Sequence, residues 1–186
     1  MKALILAAAS LFSLSASAAE LSFSTLEGSY IQADLDCSTD CDGFGIEGSI
    51  SFDETFYGTA GFQNIFQNID VNFGSGDADF STLFLTGGAR HMISESSAIY
   101  GELGFVRFDG DFSDEETDAV AIAGIRGMFN PSFEGEAELS RIFQSGADVE
   151  LSLKGTFFFT DTVGGFAGVS ASDGDTGAKV GLRLNF

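Results

Sequence analysis

Tryptophan is absent from this chain of 186 residues, and proline and histidine occur once each. The single proline, Pro131, leaves long stretches free to pair as strands, because proline breaks a β-ladder wherever its missing N–H is needed. The single histidine, His91, leaves little for histidine-based catalysis or zinc ligation. Bases are scarce too: eight Lys and Arg stand against 28 Asp and Glu, a formal net charge of −20. Phosphate repels such a chain, which argues against nucleic acid as a partner. No apolar run reaches the roughly 18 residues that a membrane-spanning helix needs, so any insertion into a bilayer is by strands. The chain is nevertheless no disordered acidic polymer, since it carries 21 phenylalanines.

Two cysteines lie close together in Cys37-Ser-Thr-Asp-Cys41. An oxidising compartment would join them as a local disulfide, whereas a metal site would need two more ligands, with His91 remote in sequence. The compartment is suggested by residues 1–18. Lys2 is followed by an apolar stretch from Ala3 to Leu14 and by Ser15-Ala-Ser-Ala18, the pattern of a secretory signal peptide. Cleavage is expected after Ala18, with Ala19 the near alternative. Residues 19–186 then form one domain by length.

What is abundant is alternation. In the last stretch Ala178, Val180, Leu182, Leu184 and Phe186 point one way, while Gly177, Lys179, Gly181, Arg183 and Asn185 point the other. That is a strand with an apolar face and a small-or-charged face. Ten such segments follow one another from residue 21, separated alternately by short turns and longer polar loops. The short turns fall at 53–54, 94–97, 130–132 and 160–162. The loops fall at 36–42, 67–79, 109–118, 145–148 and 172–175. An aromatic-glycine pattern recurs after the short turns, as in Tyr57-Gly-Thr-Ala-Gly-Phe62 and Tyr100-Gly-Glu-Leu-Gly-Phe105. The expected fold is all-β: a closed antiparallel up-and-down transmembrane barrel of ten strands, with eight as the alternative count. Even strand number and turns alternating in length place both termini in the periplasm.

The arrangement, with Leu26-Glu-Gly-Ser-Tyr30, Phe129-Asn-Pro-Ser-Phe-Glu-Gly135 and the terminal strand, resembles a family of small, porin-like bacterial outer-membrane β-barrels. Some of its members carry a quorum-sensing annotation. The resemblance implies the fold and an outer-membrane location; it implies no catalytic residue, and the signalling role is not carried over. A final aromatic on an amphipathic strand is similar to the ending that the barrel-assembly machinery reads, which gives Phe186 the role of assembly signal.

Two constellations could carry function. Inward positions hold Glu27, Glu47, Glu102, Glu134, Glu136, Glu138 and Glu150 together with Arg90, Arg126, Lys154, Lys179 and Arg183. Charges in a narrow interior must pair, so the expectation is a salt-bridged lumen in a non-enzymatic envelope or surface protein. The alternative is a narrow cation-preferring diffusion channel, with the Glu134, Glu136 and Glu138 row setting the preference. The second constellation is the acidic loops, above all Asp109, Asp111, Asp114, Glu115, Glu116 and Asp118. These make a hydrated, repulsive surface. They could attract divalent cations, but lack the spacing of the Ca²⁺-binding loop motif. No cofactor is expected. The expected partners are outer-membrane lipid, lipopolysaccharide and the assembly machinery, around a monomer. His91 closes the fourth strand at the periplasmic rim, out of reach of the long loops, and an enzyme is not expected.

Overall fold

The computed structural model describes residues 21–34, 41–71, 74–110, 113–144, 148–173 and 175–186, with backbone alone at 33–34, 67–71, 74–78 and 113–114. The expected signal peptide, residues 1–18, lies outside the described residues. Ten strands are present: β1 (Thr25–Asp34), β2 (Cys41–Ser51), β3 (Phe56–Val71), β4 (Gly74–Ser94), β5 (Ser97–Gly110), β6 (Ser113–Asn130), β7 (Phe133–Ile142), β8 (Val149–Phe158), β9 (Val163–Ala171) and β10 (Thr176–Asn185). Each pairs antiparallel with its sequence neighbours, and β1 pairs with β10 to close the barrel. The count is ten, and the eight-strand alternative falls.

Closure leaves no free sheet edge, and alternation then assigns each face. Leu85, Leu103, Phe105 and Leu182 stand outward and are more than 60 % exposed, whereas Glu134, Thr156 and Arg183 on the inner face are 1 % exposed. An exterior of exposed leucine, isoleucine and phenylalanine around a polar interior is the inverse of a water-soluble sandwich. Hydrocarbon is the solvent that satisfies it.

The hairpins are longer than the sequence suggests. Residues 67–79 read as a polar loop, but β3 and β4 stay in register out to Val71 opposite Gly74. Residues 109–118 likewise belong largely to β5 and β6, which pair out to Gly110 opposite Ser113. Apolar residues are sparse in both stretches, Ile69, Val71, Phe73 and Ala78 in the first and Phe112 in the second, so the polar composition reads as loop, whereas the ladder continues from the barrel wall.

The glycine-aromatic pattern is a packing device. Phe52 lies over Gly58, Phe129 over Gly135 and Phe159 over Gly165, each aromatic ring covering a glycine across a short turn. Inside, Tyr57 covers Gly88 and Tyr100 covers Gly124. A ring laid over a bare glycine restores the contact that a missing side chain forfeits. Gly104 is needed for another reason: a Cβ there would collide with the backbone of Leu85 and Thr86.

The turn between β2 and β3 is closed by Asp53, whose Oδ1 accepts from the Thr55 and Phe56 N–H groups, each at 2.7 Å. Those donors, Phe56 first, hold its carboxyl below the usual aspartate range. The lipid-facing assignment has a direct test. Leu103→Arg, mid-strand on β5, should lower unfolding stability in lipid vesicles by about 2–4 kcal/mol. A neutral substitution there would mean that Leu103 does not face hydrocarbon.

Candidate functional site

Register builds the interior. Glu27 of β1 sits opposite Arg183 of β10, and Glu136 of β7 sits between Arg126 of β6 and Lys154 of β8. The side chains converge into one chain of alternating sign. Arg126 Nε meets Glu134 Oε1 at 2.6 Å, and the same oxygen meets Arg183 Nη1 at 2.8 Å. Arg183 Nη1 also lies 3.5 Å from Glu27 Oε1. Lys154 Nζ then bridges Glu27 Oε1 at 3.0 Å and Glu136 Oε2 at 2.9 Å. The order Arg126, Glu134, Arg183, Glu27, Lys154, Glu136 crosses the lumen with no net charge.

Two tyrosines extend the network. The Tyr100 hydroxyl lies 2.6 Å from Glu136 Oε1 and 2.8 Å from Glu138 Oε2, and donates to one at a time. Tyr57 donates to Glu102 Oε1 at 2.8 Å, and Thr86 donates to its other oxygen. At the short-turn end Arg183 Nε donates to Asn185 Oδ1 at 3.1 Å. Cavities interrupt the filling. One of about 70 Å³ touches Phe23, Tyr57, Tyr100, Glu47, Glu102 and Lys154. Another, of about 190 Å³, lies toward the long-loop end, with Ile31, Gln63, Glu150, Ser152 and Lys179 in its wall.

Several residues expected as ion pairs have other roles. Arg90 is a turn cap: its guanidinium donates to Glu54 O at 3.0 Å, Asp53 O at 3.0 Å and Ser51 Oγ at 2.7 Å. Alternation gave its face correctly, but its depth at the rim puts it beside carbonyls rather than carboxylates. Glu102 and Glu138 are held by hydroxyls. Among the described residues Glu47, Glu150 and Lys179 enter no ion pair; they border the cavities.

Other groups stand outside the lumen. Glu115 pairs with Arg107, and Glu116 Oε2 accepts from Gln144 at 2.6 Å. Asp111 lies outside the described residues, as does the side chain of Asp114. Among the described residues no cluster of three or more His, Cys, Asp or Glu could hold a metal ion. His91 is exposed on the outer face, opposite Ile99. Cys41 opens β2 and is buried, while Cys37 lies outside the described residues. Phe186 is exposed, and its N–H donates to Ser24 O at 3.0 Å.

Phe23 was not anticipated. It is 4 % exposed and packs inside the barrel against Tyr57 and Tyr100. The signal was present: Phe23 shares the parity of Thr25 and Glu27, so the inner face of β1 extends back to it.

No protein-family model and no curated protein matches this sequence. Solved structures do match in fold. KdgM porin, solved in complex with disordered oligogalacturonate, is 12 % identical with a TM-score of 0.54, over 87 % of this chain and 99 % of that one. The translocator domain of the autotransporter NalP from Neisseria meningitidis is 11 % identical with a TM-score of 0.52, over 89 % of each chain. The outer membrane protein OprG from Pseudomonas aeruginosa is 12 % identical with a TM-score of 0.50, over 92 % of this chain and 99 % of that one. At these identities the likeness is one of fold: this chain has the closed barrel of outer-membrane proteins.

Glu134 is the hinge of the network, because one oxygen serves two buried guanidinium groups. Glu134→Ala would strand both. It should cost about 3–5 kcal/mol, the range for breaking a buried ion pair from one side. Urea unfolding in vesicles measures it, and a cost below about 1 kcal/mol would show that the site is wet and screened.

Proposed function

We propose that this chain is a non-enzymatic outer-membrane β-barrel with a sealed, salt-bridged lumen and an acidic extracellular surface, serving as an envelope or surface protein. The observation that carries the reading is the alternating chain from Arg126 to Glu136, buried on five strands and spanning the interior. A wide diffusion pore would leave such groups in water. The apolar exterior supports a membrane setting, and the fold likeness to outer-membrane barrels supports the outer membrane in particular. On this reading the short turns and both chain termini face the periplasm, and Phe186 is the assembly signal. Outer-membrane lipid and lipopolysaccharide surround a monomer, and the acidic loops hold divalent cations only as a diffuse counter-ion layer.

Planar-bilayer recording tests the seal. Wild-type protein should show little or no conductance, and Arg183→Ala should raise it with cation preference, because glutamates are then left unpaired. A steady wild-type pore whose selectivity falls in Glu136→Gln or Glu138→Gln would contradict the sealed lumen. It would establish the narrow cation-preferring channel instead.

The first long loop carries a separate expectation. Cys37 and Cys41 form a local disulfide, which an exported protein's compartment favours. Intact mass of envelope-extracted protein should fall by two hydrogens relative to the reduced form, and reduction should leave the barrel folded. Free thiols at both positions would contradict the pairing.

A further inference from the structure

The ion-pair chain fills only part of the barrel's cross-section at the short-turn end. Arg126, Glu134 and Arg183 lie toward β6, β7 and β10. The side formed by β3, β4 and β5 is filled by a residue that belongs to no strand. Residues 21–24 precede β1 and fold into the barrel mouth. Ser49 Oγ donates to Phe23 O at 2.7 Å, Ser24 Oγ accepts from Ser51 N–H at 3.1 Å, and Ser24 O accepts from Phe186 N–H at 3.0 Å. These bonds aim the Phe23 ring inward. Its centroid lies 5.0 Å from that of Tyr57 and 5.9 Å from that of Tyr100. The Arg90 guanidinium lies over the ring at 4.6 Å from its centroid and that of Arg126 at 5.0 Å. Phe23 also borders the 70 Å³ cavity, whose wall includes Glu47 and Glu102.

We propose that Phe23 is a stopper: the segment ahead of β1 places an aromatic ring in the periplasm-facing mouth and closes an otherwise cation-attracting lumen. The proposal rests on the sealed-barrel reading and adds where the seal can give way. Side chains of the ion-pair chain are anchored to paired strands, so their positions are set by the sheet. Phe23 is held by a short segment outside the sheet and by ring contacts that carry no covalent or ladder constraint. Moving it would join the cavity to the mouth without disturbing the Arg126–Glu134–Arg183 contacts to one another. The clamp suits an apolar ring flanked by cations, since guanidinium groups favour aromatic faces. With the ring gone, Glu47, Glu102 and Glu138 would face the opened path, and small cations are the solutes they would pass.

The test uses full-length mature protein in planar bilayers with KCl, each variant first checked for folding by its heat-dependent gel mobility. Phe23→Ala should convert silent wild type into discrete current steps, with a reversal potential shifted toward that of K⁺. Phe23→Cys, made in a Cys37→Ser, Cys41→Ser background, should open likewise. Attaching a benzyl group to that thiol should abolish the steps by returning a ring to the mouth. Folded Phe23 variants that stay silent while Arg183→Ala conducts would overturn the stopper and leave the ion-pair seal standing. A Phe23→Cys channel indifferent to the benzyl group would overturn it as well. Conduction by wild type would overturn the stopper and the sealed lumen together.

Discussion

Hydrocarbon offers no hydrogen bonds, and everything in this barrel follows from that. A strand that enters a bilayer must pair every backbone N–H and C=O within the protein, and a sheet achieves this only by closing on itself. Ten strands close around an interior too narrow for a broad aqueous channel, yet too wide to fill with backbone. The exterior must be apolar, so strand alternation gives the interior the other half of each sequence. The interior therefore receives Glu27, Glu134, Arg126, Lys154 and Arg183, whatever role they then take.

Confined charges are stable only in company. Glu134 at 1 % exposure meets two guanidinium groups, Glu27 meets Arg183 and Lys154, and Lys154 meets two carboxylates. Each inner member of the chain thus has a partner on either side, which offsets the desolvation that a single pair recovers poorly. The network also ties sequence-distant strands together, since Lys154 of β8 reaches Glu27 of β1. A one-residue slip between any two strands would turn such groups toward lipid, so the charges specify register as well as filling space.

Much of this was legible from residue parity alone. The inward or outward assignment of Glu27, Thr86, Arg126, Glu136 and Lys179 follows from alternation, as does the strand count. Parity gives face but not depth. Arg90 and Arg126 are equivalent in pattern, yet one meets the carbonyls of a turn and the other a buried carboxylate. Parity also fails where apolar residues are few among polar ones, which is why the strand extensions at 67–79 and 109–118 read as loops. Phe23 escaped because an apolar residue ahead of the first strand looks like part of the lipid-facing set. Only its shared phase with Glu27 marks it as internal. Parity also puts Tyr57 and Tyr100 inward, but their partnership with Glu102, Glu136 and Glu138 joins residues far apart in sequence, and no local pattern encodes it.

On the proposed reading the outside of the barrel faces lipid and its inside is dry. Single spin labels placed along 178–186 in lipid vesicles test both halves at once, with molecular oxygen and a water-soluble nickel chelate as relaxers. A two-residue period is expected: positions 178, 180, 182 and 184 reached by oxygen, and positions 179 and 185, with Arg183 left in place, shielded from both. Nickel access at 179 and 185 in the folded protein would show a water-filled lumen, and loss of the period would contradict the barrel itself.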